Sequence, residues 1–175
     1  IAGRLRMIQE AASIVLREEL ERVKQEIIKN HIAAGQRASG RTAASLRVEA
    51  NETEGTLWGR SPFGTLETGR QAGKVPANFR LIIRQWMQDK GIKARPIPYK
   101  TDRPHKYTAE ERGELSLAFL IARKIEREGT SLFRKGGRND IYTNVIPLAK
   151  ERILMRITSL LKTEIKNIKL TNIEV

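Results

Sequence analysis

The stretch that separates a mixed fold from a purely helical one is Leu46-Arg47-Val48-Glu49-Ala50, then Asn51-Glu52-Thr53-Glu54-Gly55, then Thr56-Leu57-Trp58-Gly59. Leu46 to Ala50 alternates apolar and polar residues, the period that sends successive side chains to opposite faces of a strand. Asn51 to Gly55 is polar and rich in turn formers, and Thr56 to Gly59 reads as a returning strand. The spacing predicts an antiparallel hairpin with a loop longer than the tightest two-residue types. Just before it, Ser39-Gly40-Arg41-Thr42-Ala43-Ala44-Ser45 reads as a short helical turn.

Outward from the hairpin, the periodicity changes to that of helices. Residues 2–34 place Leu5, Ile8, Ala12, Val15, Leu16, Leu20, Val23 and Ile27 at three- and four-residue steps, with Gly35 as the stop. The stripe drifts between Val15 and Leu16, which predicts a straight packing helix in place of a heptad coiled coil. Residues 61–76, rich in Gly and Pro, read as a loop. Phe79, Ile82, Ile83, Trp86 and Met87 mark a second helix that stops at Gly91. Residues 92–107 carry Pro96, Pro98 and Pro104 among basic residues and predict an extended, exposed connection.

Thr108 and Glu111 form a capping-box pattern, and a third helix follows to Glu128 with Leu115, Ala118, Phe119, Ala122 and Ile125 on one face. Residues 130–142 read as a glycine-rich loop or hairpin. A fourth helix begins near Asn144, with Pro147 in its first turn and a stripe of Ile146, Ala149, Ile153, Ile157, Leu160, Leu161, Ile165 and Ile168. The expectation is one α+β domain over residues 1–175, a small antiparallel β-sheet packed by long amphipathic helices, with N- and C-terminal helices flanking.

Composition sets the limits on chemistry. The chain has no cysteine, which removes disulfides and thiolate metal sites. No apolar run approaches the roughly 20 residues of a membrane helix, and the charged N-terminus does not resemble a secretory signal. The sequence begins at Ile1, so a few residues are expected to precede it in the gene product. The 33 Lys and Arg against 20 Asp and Glu give a net charge of +13. From Arg70 to Lys106 there are ten basic and two acidic residues, a concentration that predicts attraction to a polyanion or an acidic protein surface.

Residues 39–91 resemble the neck and minor tail component family of long-tailed bacteriophages. Ser39 to Val48 is similar to the family's Thr-Gly-x-Leu-x-x-Ser-Ile opening in variant form, and Trp58-Gly59-Arg60 to its glycine-bearing strand end. Leu66-Glu67-Thr68-Gly69-Arg70 is similar to its Glu-x-Gly signature, and Phe79 to Met87 with Lys90-Gly91 to the helix that follows. The basic, proline-containing residues 93–107 and the helical part over 108–175 depart from the pattern. The resemblance implies a structural virion subunit, assembled in the bacterial host cytoplasm, that joins head and tail or completes the tail. Its partners would be copies of itself in a ring, adjoining neck, portal-side or tail-tube proteins, and DNA passing through the lumen. It implies no enzymatic activity, no cofactor, no membrane and no small-molecule substrate. The structural motif positions are Gly40, Glu67, Gly69 and Gly91. Gly69 is expected to need a backbone that favours glycine, and Glu67 to accept hydrogen bonds from turn amides or to pair with an Arg.

Competing chemistry is weaker. His31 and His105 lie in polar surroundings and read as surface residues. Asp140, Glu164 and Lys166 only faintly match a nuclease pattern, because Glu164 and Lys166 fall in a helical stripe. Phe133 to Arg138 lacks the Gly-Lys-Ser/Thr ending of a P-loop. Glu18, Arg22 and Glu26 read as a solvated face with i,i+4 pairing. The cations Lys93, Arg95, Lys100, Arg103 and Lys106 are the candidate contacts to an acidic partner surface or to DNA phosphates, with Tyr99 and Tyr107 as thin aromatic interleaving. Non-specific nucleic-acid binding through residues 70–106 is the alternative function.

Overall fold

The computed structural model describes residues 2–101 and 104–171. In chain order the elements are α1 (Ala2–Ala33), α2 (Arg41–Ala44), β1 (Arg47–Ala50), β2 (Gly55–Trp58), a 3-10 turn (Ser61–Gly64), α3 (Thr65–Thr68), α4 (Phe79–Asp89), α5 (Ala109–Glu128), α6 (Ser131–Arg134) and α7 (Val145–Thr171). The α+β class is as expected, with a two-stranded antiparallel sheet and long helices at both ends. The chain divides into two compact units. Unit 1 comprises residues 1–35, 42–63 and 139–175, and unit 2 comprises residues 36–41 and 64–138.

In unit 1 the hairpin has the register Arg47↔Trp58, Val48↔Leu57, Glu49↔Thr56 and Ala50↔Gly55. The Asn51 side-chain carbonyl closes the four-residue loop by accepting from the N–H groups of Thr53 (2.9 Å) and Glu54 (2.8 Å). Against the hairpin lies α1, whose buried positions are Val15, Glu19, Val23, Ile27 and His31. These four-residue steps advance about 40° each around a helix of 3.6 residues per turn, so the buried face winds around α1. That winding is the physical content of the drift seen between Val15 and Leu16. α7 runs antiparallel to α1. Its Arg152 and Arg156 reach Glu19, while Ile141, just before α7, accepts from Asn30 near the end of α1. Leu46, Ile141, Val145 and Ala149 complete the aliphatic core.

In unit 2, α4 packs on α5 through Ile83, Met87, Ala118 and Ala122, flanked by Phe79, Ala94, Leu117, Ile121 and Ile125. The expected face of α5 holds at Ala118 and Ala122, which are buried, and at Ile125, which packs beside them, whereas Phe119 stands 42% exposed. Gly113 is buried as well, against the Arg95 carbonyl. The Thr108–Glu111 capping box is present as expected, with both reciprocal hydrogen bonds made. Gly91 ends α4 at φ +67, and Ile92 N–H returns to the Met87 carbonyl.

Two segments read as loops contain helical turns. Residues 61–68 form the 3-10 turn and α3. Residues 131–134 form α6, because the Thr130 side chain caps the N–H of Phe133 at 3.4 Å.

Candidate functional site

Three constellations stand out, one in unit 1 and two in unit 2. The first surrounds Glu67 and Gly69. Glu67 is buried, and its carbonyl accepts from Arg138 N–H at 2.8 Å. Gly69 caps α3 with φ +69, and a Cβ there would lie 2.5 Å from the Phe133 backbone nitrogen and 2.6 Å from Thr130 Oγ1. Neither atom can move freely, so this position tolerates no side chain. Reciprocal bonds lock the segments together: Arg70 N–H donates to Thr130 Oγ1 (3.0 Å) and Thr130 N–H donates to the Arg70 carbonyl (2.8 Å). Gly40 and Gly91 also have positive φ, yet a Cβ at Gly40 meets only the Arg37 side chain and one at Gly91 meets open space. Of the motif positions, Glu67 and Gly69 lie together at the end of α3, Gly91 follows the end of α4, and Gly40 immediately precedes α2.

The second is the basic connection over residues 92–107. Its described residues, 92–101 and 104–107, lack regular structure and are mostly exposed, as expected, but they are not a free arm. Ala94 packs into the α4–α5 core, Ile97 N–H donates to the Ala109 carbonyl, and Arg112 donates to the carbonyls of Ile97 (3.1 Å) and Pro98 (3.0 Å). The Arg95 carbonyl lies against Gly113, where a Cβ would overlap it. Tyr99 is stacked on His105 with centroids 3.4 Å apart, and the Arg112 guanidinium carbon stands 3.9 Å from the same ring centroid. Two groups this close to one centroid must occupy opposite faces, so Tyr99 is sandwiched and has no face for a base. Lys93, Arg95, Lys100 and Lys106 are exposed. Lys106 lies over the Tyr107 ring, and the other three have no ion-pair partner among the described residues. Arg103 lies outside the described residues.

The third constellation was missed in the sequence. Glu19 is 3% exposed on α1, and its carboxylate accepts from Arg152 Nε at 3.0 Å and Arg156 Nη1 at 2.9 Å. Arg156 also donates to Glu18 at 2.6 Å, and Arg152 Nη2 lies 3.4 Å from Glu26. Burial pushes the Glu19 carboxyl up, but the hydrogen bonds and charges of the two arginines outweigh it and hold the carboxyl below its ordinary value of 4.5. Glu18 and Glu26 therefore do more than line a solvated face, although the expected Arg22–Glu26 pair is present at 3.4 Å. His31, read as a surface residue, is buried at the end of α1. A signal for both was available: Val15, Glu19, Val23, Ile27 and His31 share one four-residue step.

Outside these sites the two long helices carry apolar side chains that their own unit does not cover. On α7, Leu154 (67% exposed), Leu161 and Ile165 form an outward stripe at seven- and four-residue steps, and Leu148 and Met155 form another. On α1, Met7 and Ile14 are spaced by seven and exposed. The α7 stripe read from the sequence is thus split: Ala149 is buried, whereas Leu161 and Ile165 face outward and Ile168 lies among side chains not described. Among the described residues no group of three or more His, Asp or Glu is placed to hold a metal ion, and no helix is long and apolar enough to cross a membrane.

Comparison with protein families, with characterised proteins and with solved structures finds no match to this chain.

Proposed function

We propose that this chain is a structural subunit of a tailed-phage virion, placed at the neck or upper tail, that joins head and tail or completes the tail by assembling with copies of itself. The observation that carries the reading is the uncovered apolar stripe Leu154, Leu161 and Ile165 on α7, repeated in kind by Met7 and Ile14 on α1. Long helices with a second apolar face suit a closed ring, in which each subunit covers its neighbour. The resemblance of residues 39–91 to the neck and minor tail component family supports it from the sequence side. The mechanism is assembly: the apolar helix faces bind copies, and the exposed cations Lys93, Arg95, Lys100 and Lys106 steer docking onto an acidic neighbour.

Immunogold labelling of purified virions tests the placement. Gold at the head–tail junction or the upper tail is the expected result. Particles that lack the chain by mass spectrometry would refute a virion role.

A second reading, non-specific nucleic-acid binding, is favoured by one observation. Unit 2 holds 19 Lys and Arg against 8 Asp and Glu, which is +11 of the chain's +13. Such a field attracts phosphates without reading sequence.

A further inference from the structure

The loop that leaves α3 forms, with Phe133, a cleft lined by Thr68, Gly69, Arg70, Gln71 and Lys74. Its walls are built from the fixed junction around Gly69, and the far end of the loop is held by Gly73 N–H donating to the Glu126 carbonyl at 2.8 Å. Two lining residues are cations and none is an acid.

Arg70 is held in an unusual state for an arginine. One N–H of its guanidinium donates to the Lys74 carbonyl at 2.8 Å, and its guanidinium carbon stands 5.3 Å from the Phe79 ring centroid. Its Nε is buried without an acceptor, and among the described residues no carboxylate stands within ion-pairing distance. A guanidinium partly withdrawn from water without a countercharge is costly, and a bound anion offsets that cost through charge-assisted hydrogen bonds. Arg41, Arg84 and Arg134 of unit 2 each have a carboxylate partner, whereas exposed Arg95 has none; what sets Arg70 apart is its buried Nε without an acceptor.

We propose that the Arg70–Lys74 cleft is an oxyanion site that takes a phosphate of a nucleic-acid backbone. The fork of an arginine matches phosphate oxygens, and the +11 of unit 2 favours a polyanion over an isolated anion. Because Tyr99 is sandwiched between His105 and Arg112, binding through this unit rests on phosphate contacts without base stacking on that ring, and does not depend on sequence. This inference rests on the nucleic-acid reading and names a site for it away from the exposed connection.

The test is fluorescence anisotropy of the full chain with two duplex DNAs of unrelated sequence, from 50 to 200 mM salt. Three variants accompany it: R70Q, K74Q and the triple K93Q/R95Q/K100Q. The wild type is expected to bind both duplexes alike, with affinity falling steeply as salt rises. K74Q and R70Q should each weaken binding about tenfold at low salt and lower the salt slope by about one, at unchanged melting for K74Q. Wild-type affinity and slope in both R70Q and K74Q, with loss only in the triple variant, would overturn the cleft while leaving the nucleic-acid reading intact. Binding of neither DNA nor inorganic phosphate by the wild type would overturn both. Displacement of DNA by millimolar inorganic phosphate in the wild type, and not in R70Q, supports the cleft. Binding of inorganic phosphate without binding of DNA would overturn the nucleic-acid source.

Discussion

The two units of this chain use charge in opposite ways. In unit 1, 14 Lys and Arg stand against 12 Asp and Glu, and the arginines are largely consumed inside the fold. Arg152 and Arg156 satisfy buried Glu19, while Arg6, Arg22 and Arg47 pair with nearby glutamates on their own helix or strand. In unit 2 the excess is +11, and Lys93, Arg95, Lys100 and Arg70 have no carboxylate partner among the described residues. Unit 2 is held by apolar helix packing and by backbone segments fitted against glycines. The difference separates charges that the fold uses from charges that it leaves without a carboxylate partner among the described residues. Net charge alone shows the excess but not its location.

The contrast can be broken at several points, from strong to weak. Gly69→Ala should have the largest effect, because it combines positive φ with a Cβ 2.5 Å from backbone. A loss of about 3–5 kcal/mol is expected by denaturant unfolding. A loss below 1 kcal/mol would mean that the Gly69 junction is not fixed.

Glu19→Gln strands Arg152 and Arg156 in unit 1 and should cost about 2–4 kcal/mol, the lower part of the range applying because Arg156 is partly exposed. The same network fixes the response to acid. Glu19 titrates below 4.5 in the fold, so its stabilisation is fully present above that value and is lost as pH falls through the lowered one. Wild-type stability should therefore decline below about pH 4.5 more steeply than that of Glu19→Gln. Parallel acid limbs would remove Glu19 from the account.

Gly91→Ala, at positive φ but in open space, should cost only about 1 kcal/mol. An effect as large as that of Gly69→Ala would show that φ, not the close backbone, dominates at both. The smallest effect on folding belongs to K93Q/R95Q/K100Q/K106Q. Its unfolding midpoint should match wild type, while incorporation into particles weakens. Normal incorporation would leave the connection as a solvated surface.

Much of the fold was legible in the sequence because its signals are local. The period-two alternation at Leu46 to Ala50 gave β1, the Thr108–Glu111 pair gave the start of α5, and Gly35 and Gly91 marked helix ends. Of the short helical turns, α2 was legible within Ser39 to Ser45, whereas α3 and α6 were not. Both lie among glycines; α6 has a local cap in Thr130, but the Arg138–Glu67 backbone bond that ties its C-terminal side to α3 depends on the tertiary fold. Polar residues in a buried stripe were also discounted. Glu19 and His31 sit at core spacing, but their chemistry argued for the surface until Arg152 and Arg156 supplied the partners for Glu19. Of the site residues, Gly69 was legible as a conformational requirement. The sandwich around Tyr99 was not, because it depends on how residues 92–107 fold back onto α5.

The central claim is assembly at the head–tail junction. For the proposed virion subunit the most direct measurement is to delete the gene from the phage or prophage that encodes it and image the lysate by electron microscopy. The account predicts filled heads separated from tails, or tails with defective ends, restored by supplying the wild-type chain. Intact, joined particles in the deletion lysate would contradict it.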